Sequence, residues 1–441
     1  MYLYSSLKQR EADNQPVRVG LIGAGKFGSM FLSQVPTTPG LVVTVIADLD
    51  PAQAQQRCTE VGWDDARIAA TQFTDDAEQM IRGDEVDVVV EATGHPAAGI
   101  KHALLCAQFG KHVVMVNVEA DVLAGPYLAK QARQAGVVYS MAYGDQPALT
   151  MEMVDWARSC GFNVVAAGKG TKYLPTYHAS TPDTVWSHYG LSAEQATAAG
   201  MRSQMFNSFL DGTKSSIEMA AIANAADLQA PTQGLAFPAC GAEHLAHVLR
   251  PQEVGGQLEF TGQVEVVSSL ERDGRPVIGD LRWGVYCVFE APNDYSAACF
   301  KQYGMNTDAS GRYSAMFKPF HLIGLELNIS ILSAALRNQP TGAPICFNAD
   351  VVAVAKRDIQ VGEILDGEGG YTVWGKLKPA AASIASQALP IGLASDVAVI
   401  RPIRSGQVIT MDDISADLNA QAWQVREEMI RQFGQTQERL I

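Results

Sequence analysis

Val17-Arg-Val-Gly-Leu-Ile-Gly-Ala-Gly-Lys-Phe-Gly28, followed by Leu41-Val-Val-Thr-Val-Ile-Ala-Asp48, is the stretch on which the reading of this chain turns. The apolar run Val17 to Ile22 fits a buried strand entering a turn with glycines at 23, 25 and 28, and Phe27 to Val35 is compatible with a helix. In that order Gly23 makes the tight turn, Gly25 lets backbone approach a pyrophosphate, and Gly28 lets the helix pack closely on the strand. The helix N-terminus turns free N–H groups toward the phosphates. A second apolar strand ends at Asp48, twenty residues beyond Gly28, where a carboxylate accepts bonds from ribose hydroxyls. This order predicts a dinucleotide site made by Gly23, Ala24, Gly25, Lys26, Phe27, Gly28 and Asp48. A structural glycine turn is the alternative.

Further along, Val86-Asp-Val-Val-Val-Glu-Ala-Thr-Gly-His-Pro96 reads as a buried strand running into a loop. In a doubly wound sheet that loop lies at the carboxyl edge beside the cofactor, which makes Thr93, Gly94 and His95 candidates for the nicotinamide side. For His95 a helix cap before Pro96 is the competing reading. Helix (97–109), strand (112–116), helix (121–135) and strand (137–141) then alternate, as parallel strands with right-handed crossovers do. The expected fold is therefore α/β, with a doubly wound Rossmann sheet over residues 1–147.

Composition bounds the rest. At 441 residues two or three domains are expected, and 47% apolar with 18% charged residues describes a soluble globular protein. A net charge of −14 argues against nucleic acid or an anionic membrane as partner, and leaves an anionic substrate to be held by a few local cations. Seven scattered cysteines without a CxxC pair read as reduced thiols of a cytoplasmic protein. Met1 to Pro16 lacks the apolar core of a signal peptide. The longest apolar helix candidate, 321–336, has 16 residues and contains Glu326, so no membrane span is read.

Residues 148–317 read as an α+β catalytic and dimerisation domain: a helix over 148–159, a strand over 162–168, a long helix over 207–226 and antiparallel strands within 257–270 and 281–289. Residues 318–345 are expected to return to the first domain, with a helix over 321–336. Beyond them Arg357-Asp-Ile-Gln-Val-Gly-Glu-Ile-Leu365 and Arg401-Pro-Ile-Arg-Ser-Gly-Gln-Val-Ile409 share Arg, Ile, Gly and an apolar end at a spacing of 44. Two such units predict a small pseudo-symmetric β-domain over 346–416. Asp366-Gly-Glu-Gly-Gly370 reads as a flexible turn within it. A polar amphipathic helix over 417–440, anchored by Trp423, closes the chain.

The chemistry is expected in the second domain. Gly168-Lys-Gly-Thr-Lys-Tyr173 follows a strand, so Lys169 and Lys172 project from a strand end. In a helix starting at Lys214, Lys214 and Glu218 lie four apart on one face and can pair. Hydride transfer to a carbonyl needs an acid or cation at the developing alkoxide, and a lysine near a carboxylate suits this. Arg202, Ser203 and Asn207 offer donors for a phosphate or carboxylate. A capped helix carrying one surface ion pair is the bland alternative. Asp145 and Glu152 are the weaker candidates as metal ligands, with a helix cap and a solvated face as their ordinary explanations.

The Gly23 loop, Glu91-Ala-Thr-Gly94, Asn117 and Leu210-Asp-Gly-Thr213 resemble homoserine dehydrogenases, in which a lysine follows the asparagine that matches Asn117; here Val118 and Glu119 stand. Nearly the whole chain resembles the bacterial 1-deoxy-D-xylulose 5-phosphate reductoisomerase-like proteins, relatives with an added C-terminal SAF (β-clip) domain. The motifs are Tyr143-Gly-Asp-Gln-Pro-Ala148, Gly168-Lys-Gly-Thr-Lys-Tyr-Leu-Pro175, Ser180-Thr-Pro-Asp-Thr-Val-Trp186, Phe209-Leu-Asp-Gly-Thr-Lys-Ser215, Pro319-Phe-His-Leu-Ile-Gly-Leu-Glu326 and the Arg357/Arg401 repeat. Some members make 2-C-methyl-D-erythritol 4-phosphate with NADPH; a similar branch oxidises and rearranges D-apionate with NAD.

The resemblance implies a homodimeric NADPH- or NADH-dependent reductoisomerase of isoprenoid precursor synthesis, acting on a small anionic polyol or sugar phosphate. Lys169 and Lys214 would polarise the substrate oxygens, Asp211 and Glu218 would orient a lysine or shuttle a proton, Lys172, Arg202, Ser203 and Asn207 would bind substrate, and Asn117 would join the cofactor residues. A magnesium or manganese ion bridging substrate oxygens suits such chemistry. The alternatives are an NAD-dependent oxidoisomerase or dehydrogenase of a branched sugar acid such as D-apionate, a homoserine dehydrogenase-like enzyme, and a non-catalytic dinucleotide sensor. The Asp48 carboxylate suits a free ribose 2′-hydroxyl and NAD, unless Arg57 of the following helix comes close enough to serve a 2′-phosphate.

Overall fold

The computed structural model describes residues 2–434 and 439–440. Close contacts divide them into two compact units. One holds the chain up to Leu149 together with His321–Ile345 and residues 439–440; the other holds Thr150–Phe320 and the chain from Cys346 onward through residue 434.

The first unit opens with α1 (Leu3–Ala12), β1 (Val17–Ile22), α2 (Lys26–Gln34), β2 (Leu41–Ala47), α3 (Pro51–Glu60), α4 (Asp65–Ala69), β3 (Gln72–Thr74) and α5 (Ala77–Arg82). It continues with β4 (Val88–Glu91), α6 (Pro96–Gln108), β5 (His112–Met115), α7 (Val118–Gln134) and β6 (Tyr139–Met141). The six strands are parallel in the order β3-β2-β1-β4-β5-β6, a Rossmann sheet. Apart from Arg18 and Gly20 in β1 and Glu91 at the end of β4, these two central strands consist of Val, Leu and Ile, as strands covered by helices on both faces do. Caps divide the helices as the sequence suggests: Asp50 accepts from the Gln53 N–H ahead of Pro51, and Asn117 accepts from the Ala120 N–H, which starts α7 at Val118 rather than at Asp121.

The chain passes into the second unit along α8 (Gln146–Ser159). There β7 (Asn163–Thr171), α9 (Val185–Tyr189), α10 (Ala193–Ala198), α11 (Ser203–Leu210), α12 (Thr213–Ala226), α13 (Leu245–Val248), β8 (Gln263–Ser268), β9 (Val285–Glu290), α14 (Asp294–Gln302) and β10 (Tyr313–Lys318) follow. A four-stranded sheet forms in the order β10-β9-β7-β8, with β7 parallel to β8 and antiparallel to β9. The single helix expected over 207–226 is two: Asp211 ends α11, and Gly212, at φ +91°, turns the chain into α12. From Ser215 to Ala226 every residue of α12 is buried. Its alanines make that feasible, because they let the helix lie between the sheet on one side and the C-terminal strands on the other.

Within the first unit, α15 (Asn328–Arg337) packs on α1 and on the sheet. It starts seven residues later than expected, since Gly324 at φ +78° makes a turn whose Cβ would lie 2.7 Å from that of Met30 on α2.

The C-terminal part of the second unit has β11 (Ala349–Ala355), β12 (Ile364–Asp366), β13 (Val373–Pro379), α16 (Ala380–Ala385), β14 (Ser395–Val399), β15 (Ile414–Ser415) and α17 (Gln421–Phe433). The expected closing helix over 417–440 is shorter than read, and its stretch 435–438 lies outside the described residues. The repeat is symmetric about itself. Ile359 and Ile403, equivalent at the spacing of 44, exchange both backbone bonds at 2.8 and 3.0 Å. The Ala355 N–H donates to Gln407 O and the Ala355 carbonyl accepts from the Gly406 N–H, while in its counterpart Val399 the N–H donates to Glu363 O and the carbonyl accepts from the Gly362 N–H. A local twofold axis therefore runs between the two isoleucines. Asp366-Gly-Glu-Gly-Gly370 is not a loose turn: the Asp366 carboxylate accepts from the Tyr371 and Thr372 amides, and a Cβ on Gly369 would lie 2.0 Å from Gln204 O.

Asp121 lies buried in α7, where one carboxylate oxygen accepts from the Tyr139 hydroxyl at 2.8 Å and the other has no partner. Burial pushes its pKa up to about 7. A carboxyl whose native pKa exceeds its unfolded value holds an extra proton in the native state. The stability this gives is complete below the unfolded pKa and is lost as pH rises from about 4 through about 7. Asp121→Asn should therefore flatten the stability profile across that window, leaving the similar slope from buried Glu265, and gain about 1–3 kcal/mol above it. Urea unfolding at stepped pH measures both; a slope unchanged by the substitution contradicts the account.

Candidate functional site

At the carboxyl edge of the Rossmann sheet Gly23 stands at φ +91°, and a Cβ there would lie 2.8 Å from Ala92 O. A Cβ on Gly28 would meet Gly23 O at 2.5 Å, the close helix–strand approach that the motif demands. Gly25, the residue before α2, is different: nothing lies within 4 Å of where its Cβ would be. Ser29 is the first residue of α2 whose amide bonds back, to Gly25 O at 2.9 Å; among the described residues the amides of Lys26, Phe27 and Gly28 donate to no protein acceptor. Bare backbone with free N–H groups at an open helix start fits a pyrophosphate. Ala24 contributes only backbone, its side chain being buried, while Lys26 is exposed.

Asp48 is half-buried behind this loop, accepting from the Ala24 amide at 2.8 Å and from the Asp50 amide at 3.1 Å. α3 does bring Arg57 to the loop, where it donates to Ala24 O at 2.6 Å. Both charges thus border the position that a ribose would take. At the end of β4, buried Glu91 accepts from the Thr93 hydroxyl at 2.5 Å and sits 3.2 Å from His102 Nδ1, and its second oxygen has no partner. Thr93, Gly94 and His95 are exposed. Asn117 is buried and donates to His95 O at 2.9 Å, so it shapes the loop that carries them. His95 is also the N-cap of α6, its Nδ1 accepting from the Ala98 amide at 3.3 Å.

In the second unit Lys169 projects from β7 onto α12 and makes a short ion pair with Glu218; both are buried. The glycines on either side of Lys169 are forced by sheet packing, since a Cβ on Gly168 or Gly170 would lie 1.9 Å from Glu265 O or Leu281 O. Glu218 therefore pairs across the fold with Lys169, not with Lys214 one turn away as its spacing suggested. A buried ammonium locked to a carboxylate can donate a proton to a developing alkoxide while the carboxylate fixes its position.

Two expected site residues prove structural. Asp211 is fully buried, and its partner is Lys356, at 2.7 Å, whose ammonium also donates to Ser180 O at 2.8 Å and Gly370 O at 2.7 Å. Burial raises the Asp211 pKa while Lys356 opposes that rise. With its other oxygen accepting from the Thr213 amide at the first residue of α12, Asp211 has no face left for a substrate. Asn207 donates to Ser180 O and Gly369 O and accepts from the Ser180 hydroxyl, so its amide is fully occupied within the fold. Arg202 is exposed beside half-buried Ser203 at the start of α11. Lys172 is half-buried and donates to His188 O. Asp145 is buried and accepts from the Gln146 amide, Glu152 is exposed, and no group of three His, Cys, Asp or Glu side chains suited to a metal occurs among the described residues. The donor set does not fit a metal site.

Neither Lys356 nor Arg282 stood out in the sequence. A lysine closing the buried strand Ala349–Ala355 was the available signal for the first. His178 is held neutral by burial, donates from Nδ1 to Asp211 O at 2.7 Å and stacks on Trp374 at 3.9 Å.

Residues 17–142 match the model of the GFO/IDH/MocA oxidoreductase family's NAD-binding Rossmann fold. The first unit contains an NAD-binding domain of this oxidoreductase type. Residues 144–327 match the model of the oxidoreductase DRL catalytic domain, which covers β7 through β10 and the Lys169–Glu218 pair. Both matched regions are thus oxidoreductase domains. No curated protein matches the chain. Remote likeness extends to biliverdin reductase from Synechocystis sp. PCC 6803, solved with NADP+ (18% identity over 36% of this chain and 48% of that one, TM-score 0.27). It also extends to KijD10, a 3-ketoreductase from Actinomadura kijaniata solved with NADP (19%, 36% and 49%, TM-score 0.27), and to a probable dehydrogenase from Thermotoga maritima (15%, 74% and 90%, TM-score 0.39). The chain spans about half the length of the first two. No helix among the described residues is long and apolar enough to cross a membrane, and the seven cysteines are free thiols.

Two substitutions test these assignments. Gly25→Val adds a side chain where nothing obstructs it, so stability should stay within about 1 kcal/mol while dinucleotide binding, followed by calorimetry, is abolished. Lys356→Met leaves the Asp211 carboxylate buried without its cation and should cost about 3–5 kcal/mol in urea unfolding, with part recovered by adding Asp211→Asn. Unaltered stability of the single variant would exclude the role given to Lys356.

Proposed function

We propose that this protein is an NAD(P)-dependent oxidoreductase whose first unit binds the nicotinamide dinucleotide and whose second unit supplies acid–base chemistry through Lys169. The observation that carries the reading is the buried Lys169–Glu218 pair on β7 and α12, inside the region matching an oxidoreductase catalytic domain. When bound, the dinucleotide supplies or accepts a hydride. Lys169 then holds a proton at the substrate oxygen, donating it as a carbonyl becomes an alkoxide or drawing it away in the reverse direction, and Glu218 fixes the ammonium and stabilises its charge. Burial of the pair keeps water from competing for that proton.

The specific reaction we propose is reductoisomerisation: 1-deoxy-D-xylulose 5-phosphate rearranges to a branched aldehyde, which NADPH and a proton reduce to 2-C-methyl-D-erythritol 4-phosphate. Its support is the motif resemblance along nearly the whole chain. The Asp145 and Glu152 donor set does not fit a metal, so the proton chemistry falls to Lys169. The position of Asp48 favours a second reading, NAD-linked oxidation of a branched sugar acid such as D-apionate, since a carboxylate beside the ribose repels a 2′-phosphate.

The test mixes the protein with NADPH and 1-deoxy-D-xylulose 5-phosphate and, separately, with NAD and D-apionate, following nicotinamide absorbance. Turnover is expected in the first mixture. Lys169→Met should lower kcat by about 10²–10⁴-fold while leaving dinucleotide affinity unchanged. Turnover in the second mixture alone replaces the reaction; turnover insensitive to Lys169→Met removes its assigned role.

A further inference from the structure

Just beyond the end of β7, two cations share one aromatic ring. Lys172 Nζ lies 5.8 Å from the centroid of Tyr189, and the Arg282 guanidinium lies 5.9 Å from the same centroid. Arg282 reaches this place because the Leu281–Arg282 backbone runs against Gly170, where a Cβ would come within 1.9 Å of Leu281 O. It is braced by stacking on the exposed ring of Trp283 at 4.6 Å. Lys172 is steadied by the carbonyl of His188, whose ring packs at 4.9 Å from that of Tyr177.

The surroundings do not neutralise these charges. Among the described residues neither cation has a carboxylate within 4.0 Å. Burial lowers the Lys172 pKa and the nearby Arg282 charge lowers it further, so the two cations repel across the site. The phenols of Tyr177 and Tyr189 both feel the Arg282 charge, which places two hydroxyl donors in its field. The acid whose charge acts on Tyr189 is Asp211, already matched by Lys356. Packing alone explains one cation on a tyrosine face. It does not explain two like charges brought to one ring, half-buried, in a chain of net charge −14.

We propose that Lys172 and Arg282, with the hydroxyls of Tyr177 and Tyr189, form the subsite that binds the phosphate monoester end of the substrate. A planar guanidinium engages two oxygens at once and an ammonium a third, and the two charges match a phosphate dianion better than a single carboxylate. This inference rests on the reading that the second unit holds the substrate site, not on which reaction follows. It moves the anion from Arg202, Ser203 and Asn207, where the sequence first suggested it, to the loop after β7.

The test is calorimetric titration of the full-length protein with glycerol 3-phosphate at constant ionic strength, with glycerol and glycerate as the uncharged and carboxylate comparisons. Saturable binding of the phosphate ester, weakened at least about tenfold by Arg282→Met and by Lys172→Met but unchanged by Arg202→Met, is the expected result. If Arg282→Met lowers the unfolding temperature, Arg282→Lys is read instead, and an intermediate loss is expected because charge remains while the fork is gone. No binding to the unaltered protein, glycerate bound as well as the phosphate ester, or loss with Arg202→Met alone overturns the proposal. Binding that depends on Arg282 without NADPH consumption leaves the anion subsite standing while the reaction falls. Consumption insensitive to Arg282→Met does the reverse.

Discussion

A lysine ammonium with almost no access to water must find hydrogen-bond acceptors in every direction, and Lys356 finds three, each on a different segment. Ser180 belongs to the loop that follows the Tyr173–His178 contact, Asp211 to the break between α11 and α12, and Gly370 to the glycine turn before β13. Losing any one segment leaves a buried charge short of a partner, so the three are held as one. The consequence reaches the chemistry through Asp211. Its second oxygen accepts from the Thr213 amide at the first residue of α12, Gly212 turns the chain there in the left-handed conformation, and the helix then carries Glu218 to Lys169.

This places the C-terminal strands in an unexpected relation to the catalytic helix. Gly375 of β13 donates to the Thr213 hydroxyl at 2.8 Å, Trp374 stacks on His178, and Asn224 near the end of α12 donates to Ala349 O and accepts from the Ala349 amide. The symmetric β repeat closes on itself through Ile359 and Ile403, which leaves β11 and β13 to wall one side of α12. A module that looks separable in sequence is here part of the support for Glu218.

How much of this could be read beforehand depended on the range of the interactions involved. The Rossmann half was legible because its determinants are local: apolar runs for strands buried on both faces, glycines at fixed offsets, and Asp48 at a set distance. The equivalence of the two repeats was legible for the same reason. In the second unit the decisive pairs are remote in sequence. Glu218 had a local partner at four residues' distance and took Lys169 instead, because α12 lies across β7 and the strand face offered a cation at closer quarters. Asp211 and Asn207 carry the residue types of a binding site, yet they are buried and bonded to segments some 30 to 160 residues away, which no spacing reveals. Arg282 was invisible because only the sheet register, setting Leu281 against Gly170, brings it beside Lys172.

The distribution of charge separates support from function. Lys356 meets Asp211, Lys169 meets Glu218, Arg250 meets Asp308 and Arg426 meets Asp350, so each of these shielded cations has its carboxylate in the same fold. That is what desolvation demands, since an unmatched ion in the interior costs several kcal/mol. Lys172 and Arg282 depart from the rule together. A lone departure could be relieved by solvent, but two like charges at one tyrosine add repulsion to the cost of partial burial. A protein gains from that arrangement only if an anion completes it. In a strongly acidic chain such a site also concentrates the attraction for an anionic substrate at one place, because the rest of the surface repels it.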